Sequence, residues 1–212
     1  MKVLRIVLGG LAMVAIEGAA LFQENFEDGL RPIWKPLEFT GETKHTIVKE
    51  GTNSALQAAA EKSASGLAVK LDELDPRGAT LSWRWKIDRT PPGGSEDEKK
   101  TFDHTARIFV AFDTWLGPPR TINYVWANTV PVGKTFHHPS SGRSRFVVLQ
   151  SGDAKAGKWQ VEKRNLAADW RMLFGDDDVP EIVGIGFMTD SDGTESSVTG
   201  WYDSFELVRE GK

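Results

Sequence analysis

From residue 22 onward the chain alternates apolar and polar positions in short runs, most of them closed by Gly, Pro, Asp or Asn. A period of two marks a strand with one buried face, because successive side chains point to opposite sides of the pleat. Residues 80–88 show it most clearly: Leu81, Trp83, Trp85 and Ile87 fall on one face, Ser82, Arg84 and Lys86 on the other. In residues 106–113 the apolar face is Ile108, Val110 and Phe112. Residues 121–128, 145–151, 181–189 and 198–208 repeat the pattern. Many short strands separated by turn residues predict an all-β, antiparallel β-sandwich rather than βαβ units. One segment breaks the period. Residues 165–174 space Leu166, Trp170 and Leu173 at helical intervals, and Gly175 follows as a stop signal, so one short helix is expected there. Residues 89–101, 133–143 (with His137-His138-Pro139) and 190–196 are expected as loops. The first is long for a sandwich: its length points to function, its Lys/Glu content to a merely solvated surface.

The first twenty residues do not share this pattern. Lys2 and Arg5 precede an apolar run over 6–16, and Gly18-Ala19-Ala20 places small residues at a cleavage site. The run is short for a membrane span. We therefore expect a signal peptide over 1–20, cut after Ala20, and a single β-sandwich domain over 21–212. The mature chain then has no membrane span and is periplasmic or secreted; an uncleaved anchor is the alternative.

Length and composition change this picture in four places. A chain of 212 residues is long enough to enclose a core without staples. With no cysteine, disulfides, thiolate metal sites and a Cys nucleophile are all excluded. A net charge of −4 argues against nucleic acid as a partner. Eight tryptophans against two tyrosines supply large apolar rings that serve equally as core and as flat platforms for sugars.

An ordered series of segments carries a family resemblance: SASGL (63–67), LSWRWKI (81–87), DHTARIFVAF (103–112), INYVWAN (122–128), VVLQSG (147–152), GKWQVEKRNLAADWRMLFG (157–175), GIGFMTDSDGTES (184–196) and WYDSFEL (201–207). Over residues 24–208 the chain resembles the bacterial family called domain of unknown function 3047. The resemblance implies an exported sandwich of the jelly-roll or lectin-like kind and no established activity. A wider similarity, at Asn25–Gly29 and Trp201–Phe205, is to carbohydrate-binding jelly rolls. Fold alone does not fix function.

Candidate chemistry falls in a few places. Asp190 and Asp192, before Gly193 and Thr194, are spaced to bend around calcium, or to hold a turn through backbone amides. In the sandwiches this chain resembles, first and last strands lie side by side, often with calcium, which implicates Glu27, Asp28 and Asp203. Asp103 and Arg107 are ligand-binding candidates if Asp103 folds back; otherwise they lock a loop. Trp85, Tyr124 and Trp126 form an aromatic platform if their face lines a concave sheet, and core if it does not. Trp115, beside Gly117-Pro118-Pro119, is suited to display. No GxSxG, HExxH or Ser-His-Asp pattern is present. Among carboxylates able to serve a glycosidase, Asp103 with Asp190 is the pair to inspect. The expected function is a carbohydrate-binding β-sandwich protein with a glycan partner. The alternatives are a glycan hydrolase or lyase on that scaffold and a structural envelope protein.

Overall fold

The computed structural model describes residues 18–114 and 116–210. The strands are β1 (Gly18–Glu24), β2 (Lys35–Thr40), β3 (Lys44–Glu50), β4 (Asn53–Glu61), β5 (Ala64–Leu74), β6 (Ala79–Ile87) and β7 (Arg107–Phe112). They continue with β8 (Arg120–Ala127), β9 (Thr135–His138), β10 (Ser141–Ser151), β11 (Gln160–Asn165), β12 (Ile182–Asp190) and β13 (Ser197–Glu210). One sheet has six strands, β11-β6-β13-β4-β3 with β1 on β13; the other runs β2-β5-β12-β7-β8-β10-β9. The expected sandwich is present, and the chain's first and last described strands pair. The second sheet is mixed, because β8 and β10 run parallel.

The alternation of β6 has a direct physical outcome. Trp83 and Trp85 enter the space between the sheets and meet Tyr124 and Trp126 of β8, with ring centroids 5.3 and 6.1 Å apart. These four rings, with Phe112, Phe187, Phe205 and Trp34, form the centre of the core. Trp85, Tyr124 and Trp126 are fully buried, so no face is left on which a ligand ring can stack. They are packing residues, which corrects their assignment as an aromatic platform.

The expected helix is α1 (Leu166–Phe174). Asn165 caps it by accepting from the Ala168 N–H at 2.9 Å, and Gly175 ends it in the left-handed conformation at φ 67°. Its buried face drives Trp170 onto Phe112, centroids 4.8 Å apart. Asp169 accepts from the Tyr124 hydroxyl at 2.7 Å and from the Arg164 guanidinium, which ties α1 to both sheets. Residues 133–143 are not all loop: β9 and the start of β10 form an edge hairpin there. Among the described residues no helix is long and apolar enough to cross a membrane. The expected signal peptide lies mostly outside the described residues; its cleavage point after Ala20 falls within β1.

Candidate functional site

Alternation sends Ile108, Val110 and Phe112 of β7 inward, so Arg107 and Phe109 face the other side of the seven-stranded sheet. On β12 the same outer side carries Gly184, Gly186, Met188 and Asp190. A groove of about 530 Å³ crosses this surface, lined by residues of β2, β5, β7, β8, β10 and β12. Gly186 sets its floor. A Cβ there would sit 2.2 Å from the Phe109 ring and 2.6 Å from the Leu67 carbonyl, so only glycine lets Phe109 lie down across the strand. Phe39 projects from the edge strand β2 with 69% of its surface exposed, and Leu37 lies beside it. Asn123, Thr121 and Ser144 add polar groups from β8 and β10.

The long loop 89–101 forms one wall. It is anchored through Glu96, a buried carboxylate that accepts from the Asn128 backbone N–H at 2.5 Å and side-chain amide at 3.0 Å. Thr129 adds its N–H at 3.4 Å and hydroxyl at 3.3 Å. The loop then closes in a 3-10 turn over Lys99–Thr101, which places Lys99 and Lys100 on the groove. Beneath that wall Phe102, His104, Phe136, His138 and Phe146 pack as one aromatic group, with Phe102 4.9 Å from His104 and 5.2 Å from Phe146. Burial, then the charges of Arg107 and His138, keep the His104 imidazole neutral, well below its usual range.

Asp103 does not fold back on Arg107. Its carboxylate takes the Gly193 N–H at 3.2 Å, the Thr194 N–H at 2.6 Å and the Thr194 hydroxyl at 2.7 Å, which locks the 190–196 loop. Arg107 instead donates to Asp190, and Asp190 also accepts the His104 N–H at 3.0 Å. Burial raises the Asp190 carboxyl to about 6; Arg107 opposes that rise and Asp103 adds to it. Asp103, Arg107 and Asp190 thus share one groove, as ion pair and loop lock.

Of the five carboxylates expected to bind metal, Asp190, Asp203 and Glu27 are taken by protein donors. Asp192 lines the groove, and its side chain makes no hydrogen bond among the described residues. Asp203 is buried against Arg84 in the other sheet. Glu27 accepts from the Ser54 N–H at 2.5 Å and the Ser54 hydroxyl at 3.0 Å, and that backbone bond is the main cause of its lowered pKa. Asp28 is exposed beside a second cavity of about 470 Å³ bordered by Glu24, Asn25, Arg31 and Glu206. Among the described residues no three His, Asp or Glu side chains gather in a metal-holding group.

Trp115 lies outside the described residues. Of the described tryptophans, Trp159 and Trp201 are half-buried and the others buried. Both sit on the outer side of the six-stranded sheet and flank the Lys86 ammonium at 5.2 and 4.5 Å. The groove's own aromatic surface comes from phenylalanines. Phe109 was findable as the odd-phase aromatic in residues 106–113, and Phe39 as the partner of Leu37 in the short alternation over 37–40.

A family model described as "Protein of unknown function (DUF3047)" matches residues 32–206. No curated protein matches the chain. Among solved structures the chain is similar to the cellulose induced protein Cip1, at 13% identity and a TM-score of 0.52, covering 89% of this chain and 97% of that one. It is also similar to the CBM22-1 xylan-binding domain of Xyn10C from Paenibacillus barcinonensis, at 13% identity and a TM-score of 0.47, covering 94% of this chain and 99% of that one. At such identity, likeness speaks for fold alone.

Proposed function

The chain belongs to this family of proteins of unknown function, and we propose that it is an exported carbohydrate-binding β-sandwich protein that seats a glycan in the groove over β5, β12, β7 and β8. The observation that carries the reading is the groove's pairing of surfaces. Sugar rings have apolar C–H faces and hydroxyl edges. Phe39, Phe109 and Leu37 offer the first a packing surface, while Asn123, Thr121, Ser144 and the lysines offer the second hydrogen-bonding partners. The volume falls within the roughly 300–1,000 Å³ of ligand clefts. Export is supported by Lys2, Arg5, the apolar run and Gly18-Ala19-Ala20.

A second reading, a glycan-active enzyme, draws on the placement of Asp103 and Asp190 together in the groove lining, where burial raises the Asp190 carboxyl to about 6. Calcium belongs to the proposal at Asp28 and Asp192, whose side chains make no hydrogen bond or ion pair within the described protein, unlike Asp190, Asp203 and Glu27. Titration calorimetry with purified oligosaccharides, followed by chromatography of the products, tests these readings. Binding without turnover supports the first and new reducing or unsaturated ends the second. No binding at millimolar ligand removes both.

A further inference from the structure

The groove lining holds three carboxylates and three permanent cations, so its formal charge is balanced: Asp103, Asp190 and Asp192 against Lys99, Lys100 and Arg107. Their availability is not balanced. Both oxygens of Asp103 are taken by the 193–194 backbone and the Thr194 hydroxyl. Both oxygens of Asp190 are taken, one by the His104 N–H and one by Arg107. These carboxylates are turned to protein donors and have little left to offer a ligand. The cations are in the opposite position. Lys99 and Lys100 are exposed and have no ion-pair or hydrogen-bond partner among the described residues, although the turn that carries them is held in place. The Ser95 N–H bonds the Thr101 carbonyl at 2.9 Å, and Gly193 packs so close to the Lys100 carbonyl that a Cβ would lie 2.2 Å from it. Arg107 spends one nitrogen on Asp190 and leaves a buried Nε without an acceptor. Asp192 is the one opposing charge not already satisfied.

From this asymmetry we infer that the preferred occupant of the groove is a glycan bearing an anionic substituent, a carboxylate or a sulfate, held at the Lys99–Lys100–Arg107 end. The inference rests on the glycan reading above and narrows it. An anion completes the donor set there, whereas a neutral sugar leaves two ammonium groups facing one carboxylate. The aromatic floor at Phe109 and Phe39 is left to the ring faces of the same chain. His138 lies on the same rim, where burial first, and then the charges of Arg107 and Lys99, lower its pKa.

The experiment is titration calorimetry of the full protein with length-matched oligosaccharides in four forms: neutral, uronate-bearing, sulfated, and uronate-bearing with each carboxylate reduced to the alcohol. The anionic forms are expected to bind about tenfold tighter than the neutral and reduced forms. That preference should shrink with added salt, because exposed charges are screened. In the Lys99→Ala/Lys100→Ala variant the anionic forms should lose about tenfold more affinity than the neutral form, so that the preference vanishes. Both lysines are exposed, so this variant keeps the fold. The uronate and sulfate arms identify which anion the site takes. Equal binding of all four forms, or a preference that survives in the double variant, overturns the inference and leaves the glycan reading standing. Absence of binding by every form overturns both.

Discussion

Arg107 on β7 donates to the carboxylate of Asp190 at the end of β12, joining residues 83 positions apart in a pair that is nearly shielded from water. Desolvating both charges offsets most of their attraction, so the pair adds little net stability over a well-packed apolar pair. Losing one partner is different, since it strands the other charge. Arg107→Met or Asp190→Leu alone should each cost about 3–5 kcal/mol, and the double variant clearly less than the sum. Urea denaturation of the four proteins measures the coupling. Additive losses would show that the two side chains act independently.

The same carboxylate sets a pH dependence. Asp190 is raised in the fold from an ordinary value near 3.8 to about 6, chiefly by burial. Between those values the native state holds a proton that the unfolded chain has released, so stability falls as pH rises through the window. Asp203 and Glu162 are raised for the same leading reason and add to the trend, while His45, His104 and His138, all lowered first by burial, oppose it. Asp75 and Glu27, lowered by hydrogen bonds, act toward or below its acid end. The contribution of Asp190 is therefore read as a difference. Relative to the unaltered protein, Asp190→Asn should gain stability as pH rises from 4 to about 6, whatever the net slope of either profile. Parallel profiles would mean that Asp190 titrates as an ordinary exposed carboxyl.

Much of the fold was legible because burial on one face writes itself into the sequence with period two. The strand expected at 80–88 is β6 at Ala79–Ile87, and the helix expected at 165–174 is α1 at Leu166–Phe174 with Asn165 and Gly175 as its caps. What local pattern does not carry is partner identity. Nothing in residues 120–127 or 141–151 announces that β8 and β10 pair in parallel. The short edge strand β9 (TFHH) has no apolar periodicity of its own and takes its register from β10. The candidate site divides along the same line. Asp103, Arg107 and Asp190 do meet, but the Arg107–Asp190 pairing spans too much chain to be seen in spacing. Trp85, Tyr124 and Trp126 drew notice as aromatics, yet their regular alternation was the signal of the core.

That division yields a separable pair of substitutions. Phe39 is 69% exposed and touches little, so Phe39→Ala should change stability by less than about 0.5 kcal/mol while weakening glycan binding severalfold. Trp85→Ala empties a fully buried site between the sheets and should cost roughly 3–5 kcal/mol. Any folded remainder of that variant should still bind normally. Trp201→Ala, on the opposite sheet over Lys86, serves as the control and should leave binding unchanged. Binding lost with Trp201 and retained without Phe39 would move the site to the other face.

Calcium is the last term to separate, and the arrangement of carboxylates says how. A cation gains most where negative charge is unmet. Arg84 already meets Asp203, Arg107 meets Asp190, and Ser54 and Lys49 meet Glu27. For calcium to use those groups it must displace a protein cation or a backbone N–H, which cancels much of the gain. Asp28 faces no such competition and Asp192 only the unpaired lysines that line the same groove, so a calcium response must run through one of them. Ligand bound to the native state alone adds RT ln(1 + [L]/Kd), about 2.7 kcal/mol at a hundredfold excess over Kd. For a chain of this size that raises Tm by several degrees. The expected result is a rise in millimolar calcium that survives Asp203→Asn and disappears in either Asp28→Ala or Asp192→Ala. If the rise is instead lost in Asp203→Asn, calcium outcompetes Arg84 and the buried pair is the site. Identical melting curves in calcium and in chelator remove the ion from the proposal, and the 190–196 loop then owes its shape to Asp103 and its three donors alone.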